Sequence, residues 1–471
     1  MSSDRSPGMK LLFAALVGAA LIVPLLMVYA LVSDRQHQAR VAQDSIAAGW
    51  AGPQVVTGPV LVIPYRDEAV STEVVDGKSV TRTVEVRKNL YLSADRQDIE
   101  TDLGPEIKRR AIYETVTYLA EVAGTARYAL PDDLERFGVK RTQMLLDQVE
   151  LRLGVSDPRG LQTDSRISVS GKPLPLKPGK GPGATQGSGV HAYHDWSSAE
   201  PIKVQWSYTL RGSRSFSVVP SGEATNWTAR SDWPHPSFTG SFLPGEDDRT
   251  LGEDGFEASW SISNLALGES SISREDSQPA LVADPRFGTE LGYTVVDDGS
   301  AIATIGLIEP VDLYSQVDRA VKYGFLFIGF TFLVFFMFDV VAGARVATAE
   351  YLLTGAGLVL FFVMLLAFAE VIGFALAYLV ASGAIIGLLT AYSAAVLGSW
   401  QRAGVVGAVL VGLYALLYVL LNLEAWSLMI GSLLLFFALA GVMYATRQVD
   451  WSGVVRTPGS AKINEDELSQ P

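Results

Sequence analysis

The chain runs to 471 residues, 49% of them hydrophobic and 18% charged, with a net charge of −13 and no cysteine. That length holds two or three domains, and the acidic balance argues against a nucleic-acid partner. The missing cysteines exclude disulfides, thiolate metal sites, iron–sulfur clusters and thiol nucleophiles.

Residues 1–10 lead into the first apolar run. Residues 11–32, LLFAALVGAALIVPLLMVYALV, carry no charge. About 20 apolar residues cross the hydrocarbon core as a helix. A cleaved signal peptide is the competing reading, but its apolar core is only about 7–15 residues and ends in a small-residue site. The run here is longer, and its exit VSDRQHQ lacks such a site. It is expected to be a retained anchor.

Residues 33–318 hold no comparable run and are expected to form a large, mainly β (β-rich α+β) domain. In VQWSYTL (204–210), Val204, Trp206, Tyr208 and Leu210 alternate with polar residues, the signature of a half-buried strand. AIYETVTYLAEV (111–122), RISVSG (166–171), RSFSVVP (214–220), TNWTARS (225–231) and FEASWSIS (256–263) are short, rich in β-branched or aromatic residues, and separated by Pro/Gly turns. Residues 132–150 look helical, although Gly138 interrupts them. The Pro/Gly-rich stretch 172–189 reads as a surface loop that divides two subdomains. It lacks the Gly-Lys-Ser/Thr of a phosphate-binding loop.

Four histidines occur, His37, His191, His194 and His235. HAYH (191–194) is the nearest approach to a metal motif, with His235 and Asp195 or Asp232 as further ligands. The zinc-peptidase pattern is absent, and hydrogen-bonded structural histidines are the plainer reading. No G-x-S-x-G elbow is present. The densest string is SDWPHPSFTGSFLP (231–244). Pro234 and Pro236 hold His235 in an extended frame. Trp233, Phe238 and Phe242 offer large apolar area, for a structural corner first and a recognition surface second.

VDLYSQVDRAVKYG (311–324) is expected to be a helix running without a break into the second span. Asp318 and Lys322, four residues apart, are set for a helical ion pair. With Arg319 they are candidates for coupling the domain to the membrane; a plain helix entry is the simpler alternative. Further apolar runs occupy 323–341, 351–370, 373–398, 405–423 and 425–446, which makes six expected spans, the last five forming a bundle over 319–446. Asp339, Glu370 and Glu424 are its candidate polar sites, expected near the interfaces where they reach water. They are either ordinary helix ends or groups that order helix contacts or bind a cation or headgroup. Small residues in GAGL, GFALA and ASGAIIG favour close packing over an open channel.

Arg345, Arg402, Arg447, Arg456 and Lys462 lie in one set of connections; the alternate connections carry Glu370 and Glu424 and no Lys or Arg. The positive-inside rule puts the first set in the cytoplasm, with both termini and the tail 447–471. Arg35, Arg40, Arg319 and Lys322 count against this and are outvoted. Residues 33–318 are then extracytoplasmic, and periplasmic in a Gram-negative cell.

Several blocks are distinctive: GPVLVIPY (58–65), VSDPRGL (155–161), GVHAYHDW (189–196), residues 216–244, residues 316–339, residues 351–382 and ATRQVDWSG (445–453). On these the chain resembles the CreD family of bacterial inner-membrane proteins, also described as cell envelope integrity proteins. The resemblance extends over nearly the whole chain. It implies an inner-membrane location and a link to an envelope-stress regulon, β-lactam response and colicin tolerance. It implies no catalytic residues.

The expected protein is therefore a non-enzymatic envelope protein whose periplasmic domain recognises something and whose bundle anchors or transmits. No cofactor or metal is expected. Membrane lipids and other envelope or cell-wall proteins are the expected partners, and oligomeric state is left open. A transporter or lipid-handling protein is the first alternative, and a metal-dependent periplasmic enzyme the second.

Overall fold

A computed structural model describes residues 7–75, 78–132, 134–280, 301–307, 313–340, 347–422 and 427–447. Glu424, Arg345, Arg456 and Lys462 lie outside the described residues. The chain divides into two compact units, one of residues 40–310 and the other of residues 1–39 with 311–471. Helix α1, Pro7–Trp50, contributes to both.

Among the described residues, 40–310 hold three sheets. The eight-stranded sheet runs, in spatial order, Arg249–Gly252, Gly255–Ser263, Ala224–Ser231, Arg96–Arg110, Tyr113–Tyr128, Ile202–Ser213, Arg166–Val169 and Lys172–Leu174. Its strands pair antiparallel except Arg96–Arg110 with Ala224–Ser231. The six-stranded sheet runs Ile272–Ser273, Lys78–Leu92, Val60–Val75, Val149–Gly154, Gly189–His194 and Lys177–Pro178. The four-stranded sheet runs Gln54–Thr57, Ser215–Val219, Ala303–Leu307 and Pro236–Gly240, its first pair parallel. One turn of helix, α2 (Asn264–Leu267), follows the strand Gly255–Ser263.

Every strand expected from alternation is present. Val204, Trp206, Tyr208 and Leu210 are all buried, on the same side of Ile202–Ser213. A single hydrophobic core draws residues from all three sheets, among them Leu61, Leu151, Phe216, Ile305 and Trp227. Trp227 stacks on Trp260 at 4.2 Å between centroids and tilts against Phe216 at 6.1 Å.

The described residues of 132–150 do not form the expected helix. Three 3₁₀ turns, Leu134–Phe137, Arg141–Gln143 and Leu146–Gln148, lead into the strand Val149–Gly154. Gly138 takes φ +71°, which ends the first turn. The buried residues Leu134, Val139, Met144 and Val149 recur every five positions, a spacing that suits neither helix nor strand.

In the other unit, α3 (Leu313–Lys322) and α4 (Gly324–Val340) are separate helices bent by 40° at Tyr323, not the unbroken helix expected. A Cβ on Gly324 would press on Leu25 and Phe362, so the break is also a place of close approach. Helices α5 (Thr348–Ile372), α6 (Phe374–Leu397), α7 (Trp400–Asn422) and α8 (Ser427–Thr446) complete the unit. Among the described residues, α1, α5, α6 and α7 are each long and apolar enough to cross a membrane; α3 with α4 would make a fifth span. Packing is tight where glycine allows it: a Cβ on Gly355 would collide with Leu21 of α1. Tyr378 of α6 donates its hydroxyl to the Tyr414 carbonyl of α7 at 2.6 Å, and Phe361 of α5 packs edge-on to both rings.

Candidate functional site

The Trp-Pro-His-Pro string lies at the edge of the four-stranded sheet. Pro236 opens the edge strand and pairs with Leu307, and Phe238 pairs with Ile305. Proline has no N–H to give a ladder, so an edge position suits it. Trp233, Phe238 and Phe242 are partly buried against the core. Phe238 meets Phe256 and Trp260 edge-on, each at 5.8 Å. The Trp233 indole donates to the His235 carbonyl at 3.2 Å, and its backbone N–H donates to Ser231 Oγ at 3.2 Å. Trp233, Pro234 and Phe238 thus form a pinned corner, with the His235 side chain exposed.

His191 and His194 share the strand Gly189–His194. Three residues apart on a strand, they face opposite sides and cannot clasp one ion. His191 is buried, with Nδ1 2.8 Å from the Gly179 carbonyl. Burial pulls the His194 pKa below its ordinary value, against the opposing pull of Asp195. Among the described residues no three His, Asp or Glu side chains converge as metal ligands.

Sequence reading missed a charged network on the six-stranded sheet. Glu150 takes Lys180 Nζ at 2.8 Å and Arg152 at 2.9 Å, and Arg152 also reaches Asp276 at 3.7 Å. Lys180 bonds the Tyr193 hydroxyl at 3.2 Å. Burial opposes ionisation of Glu150, but the hydrogen bonds from Lys180 and Arg152 outweigh it and hold its pKa below the ordinary value. Residues two apart on a strand share a face, so Glu150 and Arg152 could have been paired from spacing; Lys180 and Asp276 arrive from distant loops.

The same unit has a cavity of about 750 Å³ on the eight-stranded sheet, lined by Asp98, Glu100, Arg166, Leu174, Gln205 and Trp206 among others. Asp98 is ionised below the usual range: burial opposes this, and hydrogen bonds from Arg96 and Asn226 prevail. Trp206 covers Gly124, where a Cβ would strike the indole.

Within the helical unit, Glu370 lies in the last turn of α5 with its side chain 10% exposed. The Tyr314 hydroxyl of α3 donates to its Oε1 at 3.2 Å, and Arg35 Nε of α1 lies 4.0 Å away. One carboxylate therefore ties three helices. Asp318 and Lys322 form the expected ion pair at 2.6 Å, and Arg319 Nε donates to the Ser315 carbonyl at 3.3 Å. Asp339, expected to reach water, is only 3% exposed. It follows Phe335 by one helical turn, and Phe335 packs against Tyr351.

A three-sheet β domain carried with helices long and apolar enough to cross a bilayer defines a multi-helix membrane protein with a large β-rich domain. A family model described as "Inner membrane protein CreD" matches residues 6–452. The chain is also 30% identical over 453 residues to "Inner membrane protein CreD" of Escherichia coli (strain K12), covering 94% of this chain and 93% of that protein. The chain belongs to the CreD family.

Proposed function

We propose that the protein maintains cell envelope integrity as a non-enzymatic coupling protein. Its three-sheet domain lies in the periplasm, recognises an envelope component, and transmits occupancy to a six-span bundle with both termini in the cytoplasm. Two observations from the helices support six spans: α3 with α4 reads as one bent span, and α8 carries an apolar stretch. The charged connections support the orientation.

The observation that carries the coupling is Glu370. The chain leaves and re-enters the helical unit near residues 39 and 311. Arg35 and Tyr314 stand beside those two crossings, and both engage the same carboxylate. Any strain carried along either connection reaches α5 at one point. Glu370→Gln is expected to reproduce the envelope sensitivity of a deletion, while the protein still inserts and accumulates normally. Sensitivity of cells to detergent and cell-wall antibiotics, alongside membrane levels of the protein, reads this out. Normal resistance in the variant sinks the coupling. Because the chain has no cysteine, single introduced cysteines and an impermeant thiol reagent test the orientation. Labelling of a tail cysteine in intact, outer-membrane-permeabilised cells would reverse it.

Lipid handling is the second reading. It is favoured by an apolar cavity of about 310 Å³ between α1 and α4, lined by Ala14, Gly18, Ile328, Gly329 and Phe332. Gly329→Phe should then slow lipid transfer in proteoliposomes; absence of any transfer by the unaltered protein disposes of it.

A further inference from the structure

We propose that the turn joining Arg96–Arg110 to Tyr113–Tyr128 is a membrane-surface contact that binds anionic lipid headgroups. The turn is Ile107-Lys108-Arg109-Arg110-Ala111-Ile112-Tyr113. Ala111 takes φ +57°, which closes the hairpin tightly. Ile107 and Ile112 are 45% and 49% exposed, on a tip with three cations in a row. Arg109 is 71% exposed, with Glu114 at 2.7 Å; Lys108 has Glu106 at 2.9 Å. Lys108 turns back over Trp50, and Arg109 and Arg110 against Glu114 leave the turn itself basic on a chain of net charge −13. Exposed isoleucines interleaved with arginine, lysine and tyrosine match the bilayer interface, where apolar bodies sink and charged heads meet phosphates.

Position supports the same occupant. The hairpin packs along the last turns of α1. Gln43 donates to the Glu114 carbonyl at 2.9 Å, and the Trp50 indole to the Tyr118 carbonyl at 3.5 Å. Arg110 bonds Ser45, and Lys108 lies 4.0 Å over the Trp50 ring. Helix and strand thus rise together, and the turn lies at the Gln43 end, the end from which the apolar run arrives.

The inference rests on α1 crossing the membrane, and its test separates the two. With no native cysteine, Ile112→Cys carries a single environment-sensitive fluorophore on the full chain. The protein is placed in nanodiscs of phosphatidylcholine alone or mixed with phosphatidylglycerol, each with a headgroup-level quenching lipid. Several-fold stronger quenching in the anionic discs is expected, and Arg109→Glu should abolish the difference. A water-like Ile112 label, or equal quenching in both discs, overturns the proposal. A second label at Leu16→Cys, in the apolar run, reports on the span. If chain-level quenchers reach Leu16 while Ile112 stays in water, only the surface contact fails. If both labels stay in water, the span fails with it.

Discussion

Glu150 carries two cations on a carboxyl that is largely hidden from water, and this sets a pH dependence. Its pKa in the fold lies below the ordinary 4.5 because the Lys180 and Arg152 hydrogen bonds outweigh burial. As pH falls, the unfolded chain takes up that proton first. The stabilisation is therefore complete above about 4.5 and is lost as pH drops through the lower folded value. Glu150→Gln should lower the melting temperature of the full chain near neutrality, and the gap from wild type should close below that pH. Tryptophan fluorescence melts across the range measure it. A constant gap would mean the carboxylate contributes only by shape. Trp227 makes a different claim. It is 1% exposed, stacked on Trp260, and its indole donates to Thr101 Oγ1 at 3.1 Å. Trp227→Ala should cost about 3–5 kcal/mol, read from urea unfolding of the full chain in detergent. His235 shows how far single residues were legible. Its two prolines announced an extended frame, but only the Trp233 bond to its carbonyl explains why the frame is needed. The Glu150 network was half legible, since Lys180 and Asp276 belong to loops whose paths no local spacing predicts.

Period-two alternation writes a strand into the sequence whenever one face is buried, and Ile202–Ser213 was legible for that reason. What alternation leaves out is the neighbour. Trp206 pairs with Gly124, and the indole occupies the space a side chain would take there. Gly124→Val should therefore destabilise the domain by about 1–3 kcal/mol through overpacking. Gly104→Ala, where a Cβ meets nothing closer than 3.7 Å, should be far milder. Equal effects in calorimetric melts would refute the packing argument. The segment 132–150 misled for a related reason. Leu, Arg, Gln and Met favour helix locally, yet burial at every fifth residue bends the chain into 3₁₀ turns across the core. The helix break at Tyr323 was equally silent, because the close approach of Leu25 and Phe362 to Gly324 is a tertiary fact.

At the scale of the molecule, the division into a β-rich part and an apolar helical part was plain from hydropathy alone. The convergence on Glu370 was not, since Arg35, Tyr314 and Glu370 lie far apart in sequence. Its energetic reality can be measured in a double-mutant cycle of Tyr314→Phe and Glu370→Gln. A hydrogen bond to a charged group is worth about 1.5–3 kcal/mol, so the two changes should be strongly non-additive in thermal melts. Simple additivity would show that the contact carries little. The four-stranded sheet has a consequence of another kind. Its strand Ala303–Leu307, buried at every position, sits between Ser215–Val219 and Pro236–Gly240. Until residue 307 has emerged, both neighbours present an open edge, and the core lacks Ile305 and Leu307. Such long-range closure is slow, and it leaves unpaired edges and apolar surface uncovered during synthesis. Biogenesis of this protein should therefore lean on holding chaperones until almost the whole β-rich region has been made.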